Sequence, residues 1–170
     1  MEISIRGTPK HAKKKAIRYA ANFFADQLLS KRLSSSLSLK ISFDPEETKQ
    51  ELIESEFGAC GYTYDEEYGN PKEFEIFIHN NLDMADLYHT LAHEMKHLEQ
   101  YARGKLHCYL KETDTVRWMN KAYKLIKDVQ SKKYKNQPWE KEATQAEKDL
   151  VDALHQHVNE KMKDKNWRVK

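Results

Sequence analysis

In the stretch LAHEMKHLEQYARG, Leu91 to Gly104, His93 and His97 lie four residues apart and Glu94 directly follows the first of them. On an α-helix, residues at that spacing sit about 40° apart and about 6 Å along the axis, so two imidazoles can converge on one ion. Glu94 is turned about 100° from His93, a direction from which it cannot easily chelate the same ion but can reach a water held there. These types at this spacing suit a Zn²⁺ site with His93 and His97 as ligands and Glu94 as general base. The pattern would arise in roughly a few per cent of shuffled chains of this composition, so helix phase has to add to it. Met84, Leu87, Tyr88, Leu91, Met95, Leu98 and Ala102 fall in one arc on the side away from the histidines, the face that a core would cover. His89 extends the histidine row, but it lies about 12 Å along the axis from His97, too far to share an ion whose bonds to nitrogen are about 2.0–2.1 Å. It reads as a rim residue.

A catalytic zinc needs a third protein ligand and an open position. The position six after His97, where a compact three-histidine site would find its last ligand, holds Arg103. Further on, QPWEKEATQAEKD offers Glu140 and Glu142 at the start of an amphipathic helix. Relative to Trp139 they lie at about 100° and about −60°, one at each edge of the apolar stripe, and phase does not choose between them. His107 and Cys108 are weaker candidates, because nothing else in the chain completes a mixed site.

The elements that must position these groups can be read outward from the motif. Asn80, Asn81 and Asp83 offer caps for a helix from about Met84 to about Ala102 that stops at Gly104. Before it, MEISIR is a short strand, and Thr8 with Pro9 opens a long helix ending near Leu33, with Ala16, Ile17, Ala20, Phe24 and Leu28 on its apolar side. LSLKISF alternates as a strand with one buried face, and Asp44 to Glu56 is acidic and irregular or briefly helical. FGACGYTYD and EFEIFIHN flank a turn-rich segment and form a hairpin. After the motif, KLHCYL is a short strand, and TVRWMNKAYKLI is either a hairpin or a helix, which periodicity does not settle, and is read as the extended hairpin. Pro138 and Trp139 open a last helix with the stripe Trp139, Ala143, Ala146, Leu150 and Leu154. The fold class is α+β.

At 170 residues the chain fits one domain, residues 1–160, followed by a basic tail, 161–170, that frays. The opening lacks a signal-peptide pattern and no apolar run reaches bilayer-spanning length, so a cytoplasmic protein without membrane partners is expected. Cys60 and Cys108 read as reduced packing residues. A net charge of +2 from many charges of both signs argues against a strongly basic nucleic-acid binder. Lys10 to Lys15, Lys121 to Lys135 and Lys161 to Lys170 are nonetheless local basic clusters.

Taken together, FGACGY, EFEIFI, TLAHEMKHLEQYARG, RWMNKAY, Tyr134 and PWEKEA resemble a family of small phage and bacterial zincin-like proteins related to SprT-like and gluzincin metallopeptidases. The resemblance runs from about Phe57 to Ala146 and rests on the block HExxHxxQYxxG paired with PWExEA. It implies a zincin-like fold: a small mixed sheet with an N-terminal helix, an active-site helix, and a C-terminal helix bearing the glutamate ligand. In gluzincins that ligand is typically followed by a small residue, which implies Glu142, ahead of Ala143, with Glu140 second. It also implies a protein or peptide substrate, and the host cytoplasm if the chain is phage-encoded. A glycine is usual in the family where this chain has Asn120, a substitution that asparagine's tolerance of positive φ permits.

The expected activity is a zinc-dependent endopeptidase in which Glu94 moves the proton, an edge strand over Glu73 to Asn80 holds the substrate, and Tyr123 or Tyr134 is a candidate by type for the oxyanion. Lys96 is expected to turn outward, away from the ligands. The alternatives are a binding module with a structural zinc held through His107 or Cys108, and a DNA-associated SprT-like protein.

Overall fold

Alternation in LSLKISF places Leu37, Leu39, Ile41 and Phe43 on one side of a strand, and all four are buried. This strand, β2 (Ser38–Ser42), is the inner parallel partner of β1 (Glu2–Arg6). The computed structural model describes all residues except 8, 10, 11, 44–57, 64–69, 109–114, 125, 127, 129, 130 and 164–170, and only the backbone of 58–63 and 108. The acidic segment Asp44 to Glu56 and most of the basic tail therefore lie outside the described residues.

Helix α1 (Lys14–Leu28) and the short α2 (Lys31–Ser35) cross from β1 to β2. The helix expected from Pro9 to Leu33 is thus shorter and broken. Gly7, at φ +79 and so close to Phe43 that a Cβ added there would lie 3.1 Å from its carbonyl carbon, turns the chain off β1, and α1 begins at Lys14. Leu29 is extended, and the Ser30 hydroxyl accepts from the Leu33 N–H to start α2 as a separate element.

The expected hairpin pairs β3 (Gly58–Thr63) antiparallel to β4 (Glu73–Ile78), from Gly58 opposite Ile78 to Thr63 opposite Glu73. The sheet order is β1-β2-β4-β3, with β4 parallel to β2. Glu73 to Ile78 is therefore an inner strand and cannot accept an added substrate strand; the edges are β1 and β3. An inner strand and an edge strand alternate alike when one sheet face is wet, which is why sequence did not separate them.

Helix α3 (Met84–Ala102) carries the motif, and a second sheet follows: β5 (Leu106–Cys108), β6 (Thr115–Trp118) and β7 (Lys121–Lys124), antiparallel in that order. Met119 and Asn120, at φ 45 and 67, make the two-residue turn between β6 and β7, so TVRWMNKAYK is the expected hairpin and Asn120 adopts the positive φ. After the short α4 (Lys132–Lys135), α5 (Pro138–Met162) runs back along α3 with proline in its first turn.

Two apolar clusters result. The main core joins α1, the inner face of the first sheet, one face of α3 and Leu150, Val151 and Leu154 of α5. A smaller cluster joins Leu106, Val116 and Trp118 to Trp139, with Tyr101 and Tyr123 against it. The first turn of α5 is anchored in the small cluster and its later turns in the main one. No helix among the described residues is long and apolar enough to cross a membrane.

Candidate metal centre

The motif helix is fixed at both ends by local chemistry. Asp83 Oδ1 accepts from the Asp86 N–H at 2.9 Å at the start. At the end Gly104 takes φ +67, its N–H donates to the Tyr101 carbonyl and the Lys105 N–H to the Gln100 carbonyl, which together form a Schellman motif. Leu87, Leu91, Met95, Leu98 and Ala102 are buried in the main core as the apolar arc requires, while the histidine side of α3 is covered by α5.

On that second side three donors meet. His93 Nε2 lies 3.1 Å from His97 Nε2, and Glu140 approaches each ring at 3.4 Å, Oε2 toward His93 and Oε1 toward His97. Among the described residues this is the one group of His, Cys, Asp and Glu side chains placed to hold a metal ion. Four-coordinate zinc with bonds of about 2.0–2.1 Å sets its donors at the corners of a tetrahedron with edges of about 3.3 Å. The two Nε2 atoms, 3.1 Å apart, are close to that spacing, and one ligand atom from each of His93, His97 and Glu140 lies within 4.8 Å of the other two.

The other nitrogen of each ring is held as well. His93 Nδ1 is 3.2 Å from Glu147 Oε2, and the second oxygen of Glu147 is 2.9 Å from His89 Nδ1. His97 Nδ1 is 2.8 Å from Gln100 Oε1. With an acceptor on each Nδ1, both rings turn Nε2 toward Glu140, as histidine ligands do when a neighbouring acceptor fixes their tautomer.

The charges are strongly coupled. Burial alone would lower His93, but hydrogen bonds to Glu140 and Glu147 and the charge of Glu94 push it up to about 10. Burial opposes His97 in the same way, and Glu140 and Glu94 raise it nonetheless. Burial would raise Glu140, yet the two imidazoles hold it well below the usual carboxylate range. The carboxylates thus favour protonation of both rings, although two Nε2–H groups 3.1 Å apart would point their protons at each other. His93, His97 and Glu140 could hold a divalent cation, whose charge would replace those protons and balance Glu140. Glu94 is 93 % buried side by side with these groups, and burial is the main cause that raises its carboxyl despite the nearby imidazoles.

Glu142, which the resemblance implied as the ligand, is not brought to the histidines. Its carboxylate accepts from Gln100 Nε2 at 2.9 Å and lies 3.4 Å from Lys96 Nζ and 3.5 Å from Lys105 Nζ. The side of α5 that meets the histidines is the Glu140 edge of the Trp139 stripe, because the Trp139 ring is buried against Trp118 and Tyr123. Lys96 does not turn to solvent either: it is buried, 2.9 Å from Glu99 Oε2 and 3.4 Å from Glu142 Oε1. His107 Nε2 sits 2.9 Å from the Gly104 carbonyl and takes no part in the donor group. Tyr123 is edge-on to Trp139, a packing role.

Two residues of the site went unassigned in the sequence. Gln100 lies about −20° from His93 on the α3 surface, and Glu147 lies about −20° from Glu140 on α5, each two turns on. A heptad spacing from each candidate ligand was the signal that could have found them. Comparison with family models, with curated proteins and with solved structures finds no match to this chain.

Proposed function

We propose that this chain is a zinc metallopeptidase of zincin-like fold in which His93, His97 and Glu140 hold the ion and Glu94 is the general base. The observation that carries the reading is the triangle of His93, His97 and Glu140 side chains, assembled from two helices, with the two Nε2 atoms 3.1 Å apart, each 3.4 Å from one of the two Glu140 oxygens, and an acceptor on each Nδ1. Three protein donors are the number that a catalytic zinc site uses, with the fourth position left for water. When bound there, zinc would supply Lewis acidity toward a substrate carbonyl and lower the pKa of a water toward about 7.

The chain's own residues supply the proton handling. Glu94 follows His93 on the helix and carries a carboxyl raised by burial, so it can take a proton from the attacking water and give it to the leaving amine. A peptide substrate fits better than a small ester, because β3 is a sheet edge adjoining α3 and an extended chain can add to it through backbone hydrogen bonds. The zincin-like resemblance of HExxHxxQ and PWExEA supports the same class.

The test is zinc stoichiometry by elemental analysis together with cleavage of an unfolded protein substrate. The parent should carry one zinc and cleave, and Glu140→Ala should lose both. A Glu140→Ala protein that keeps a full equivalent of zinc at the same affinity would remove Glu140 from the ligand set.

A further inference from the structure

The Gln100 side chain is fully buried at 0 % exposure, and its carboxamide has two ends that cannot be exchanged. Nε2 donates at 3.1 Å to the Trp139 carbonyl and at 2.9 Å to Glu142 Oε2. A backbone carbonyl only accepts, so the amine end of the amide must face the first turn of α5. The amide oxygen is then left facing His97, 2.8 Å from Nδ1. An oxygen at that place can accept and cannot donate, so Nδ1 carries a proton and Nε2 is the nitrogen turned toward Glu140.

We propose that Gln100 is a positioning residue through which the first turn of α5 selects the tautomer of His97, so that this imidazole offers Nε2 to a divalent cation only when the helix carrying Glu140 is seated. The inference rests on the metal reading above and extends it. It gives Glu142 a task one step removed from the ion: Glu142 orients the Gln100 amide, and the amide orients His97. It also ties the two ligand-bearing helices into one unit, because the group that sets His97 bonds to the residue directly before Glu140. His93 has no such link to the first turn, since its Nδ1 is served by Glu147, two turns further along α5.

Gln100→Met keeps the volume and removes all three hydrogen bonds. Two readouts separate the claims: zinc affinity by competition with a chromophoric chelator, and long-range proton–nitrogen NMR of the His97 ring in metal-free protein. The parent should show a proton on Nδ1, which Gln100→Met should lose in favour of mixed tautomers, and zinc should bind ten- to a hundredfold more weakly. Zinc affinity within twofold of the parent, or an unchanged His97 tautomer, overturns the proposal. If Gln100→Met does not fold, Glu142→Ala is read in its place. It should weaken zinc several-fold, with Glu142→Gln restoring most of the loss, and parent-like affinity in Glu142→Ala overturns the proposal in the same way. A parent that binds no zinc, yet loses the Nδ1 proton in Gln100→Met, supports the tautomer selection and refutes only the metal reading.

Discussion

Metal binding to this site must displace protons, and the arrangement of its carboxylates sets how many and at what cost. In the metal-free protein Glu140 and Glu147 hold His93 protonated up to about 10, on a side chain only 21 % exposed. Freeing Nε2 for an ion at pH 7 therefore costs about 4 kcal/mol, roughly a thousandfold in apparent affinity. An ordinary histidine would be neutral above about 6.5 and zinc affinity would level off there. Here affinity should keep rising about tenfold per pH unit from 6.5 to at least 8.5, with at least one proton released per zinc. Isothermal titration in buffers of different ionisation enthalpy counts those protons, and chelator competition gives the slope. The sign for the metal-free fold is opposite. A histidine whose folded pKa is raised contributes stability that is complete below its unfolded value of about 6.5 and is lost as pH climbs through about 10. Chelator-treated protein should thus lose thermal stability across that window. Zinc affinity that is flat above pH 7, with no proton release, would refute this account of the site.

Other outcomes follow from the same geometry. Glu94→Gln should retain zinc and fold while lowering turnover by about 10²- to 10⁴-fold in a peptide-cleavage assay, and full residual activity would exclude Glu94 as the base. Glu147→Ala, which removes the acceptor on His93 Nδ1 but no donor of the triangle, should keep zinc stoichiometry at saturation and weaken affinity about 10- to 100-fold by chelator competition. Gly104→Ala puts a methyl group 2.6 Å from the Asn70 side-chain oxygen and a side chain at φ +67, and should destabilise the fold by about 1–2 kcal/mol in chemical denaturation, with no direct effect on the ligands.

The parts of this molecule that local chemistry determines were legible in its sequence. Asp83 and Gly104 bound the motif helix at Met84 and Ala102 because a cap and a positive-φ residue act within one turn of their own position. Strand alternation in LSLKISF and the turn at Asn120 were equally local. Which of Glu140 and Glu142 faces the histidines was not. Glu140 and Glu142 flank one apolar stripe symmetrically, and what turns Glu140 inward is the lodging of Trp139 in a second cluster made by residues of β5 and β6. Nothing within α5 encodes that choice. Lys96 was misread for a similar reason: its counter-charges include Glu142 from another helix, and they hold it buried where a lone lysine would have turned to water. The place of β4 inside the sheet likewise depends on β2, a strand distant in sequence.

Because two of the donors come from α3 and the third opens α5, an ion gripped by all three would fasten together positions between which the chain makes a long excursion through the second sheet. Such a clasp closes a ring in the unfolded chain as a disulfide does, and for rings of several tens of residues the lost freedom is worth about 3–5 kcal/mol. A chelator would then disarm the chemistry and also loosen the whole excursion, so amide exchange in β5, β6 and β7 should quicken well before α1 and β2 respond.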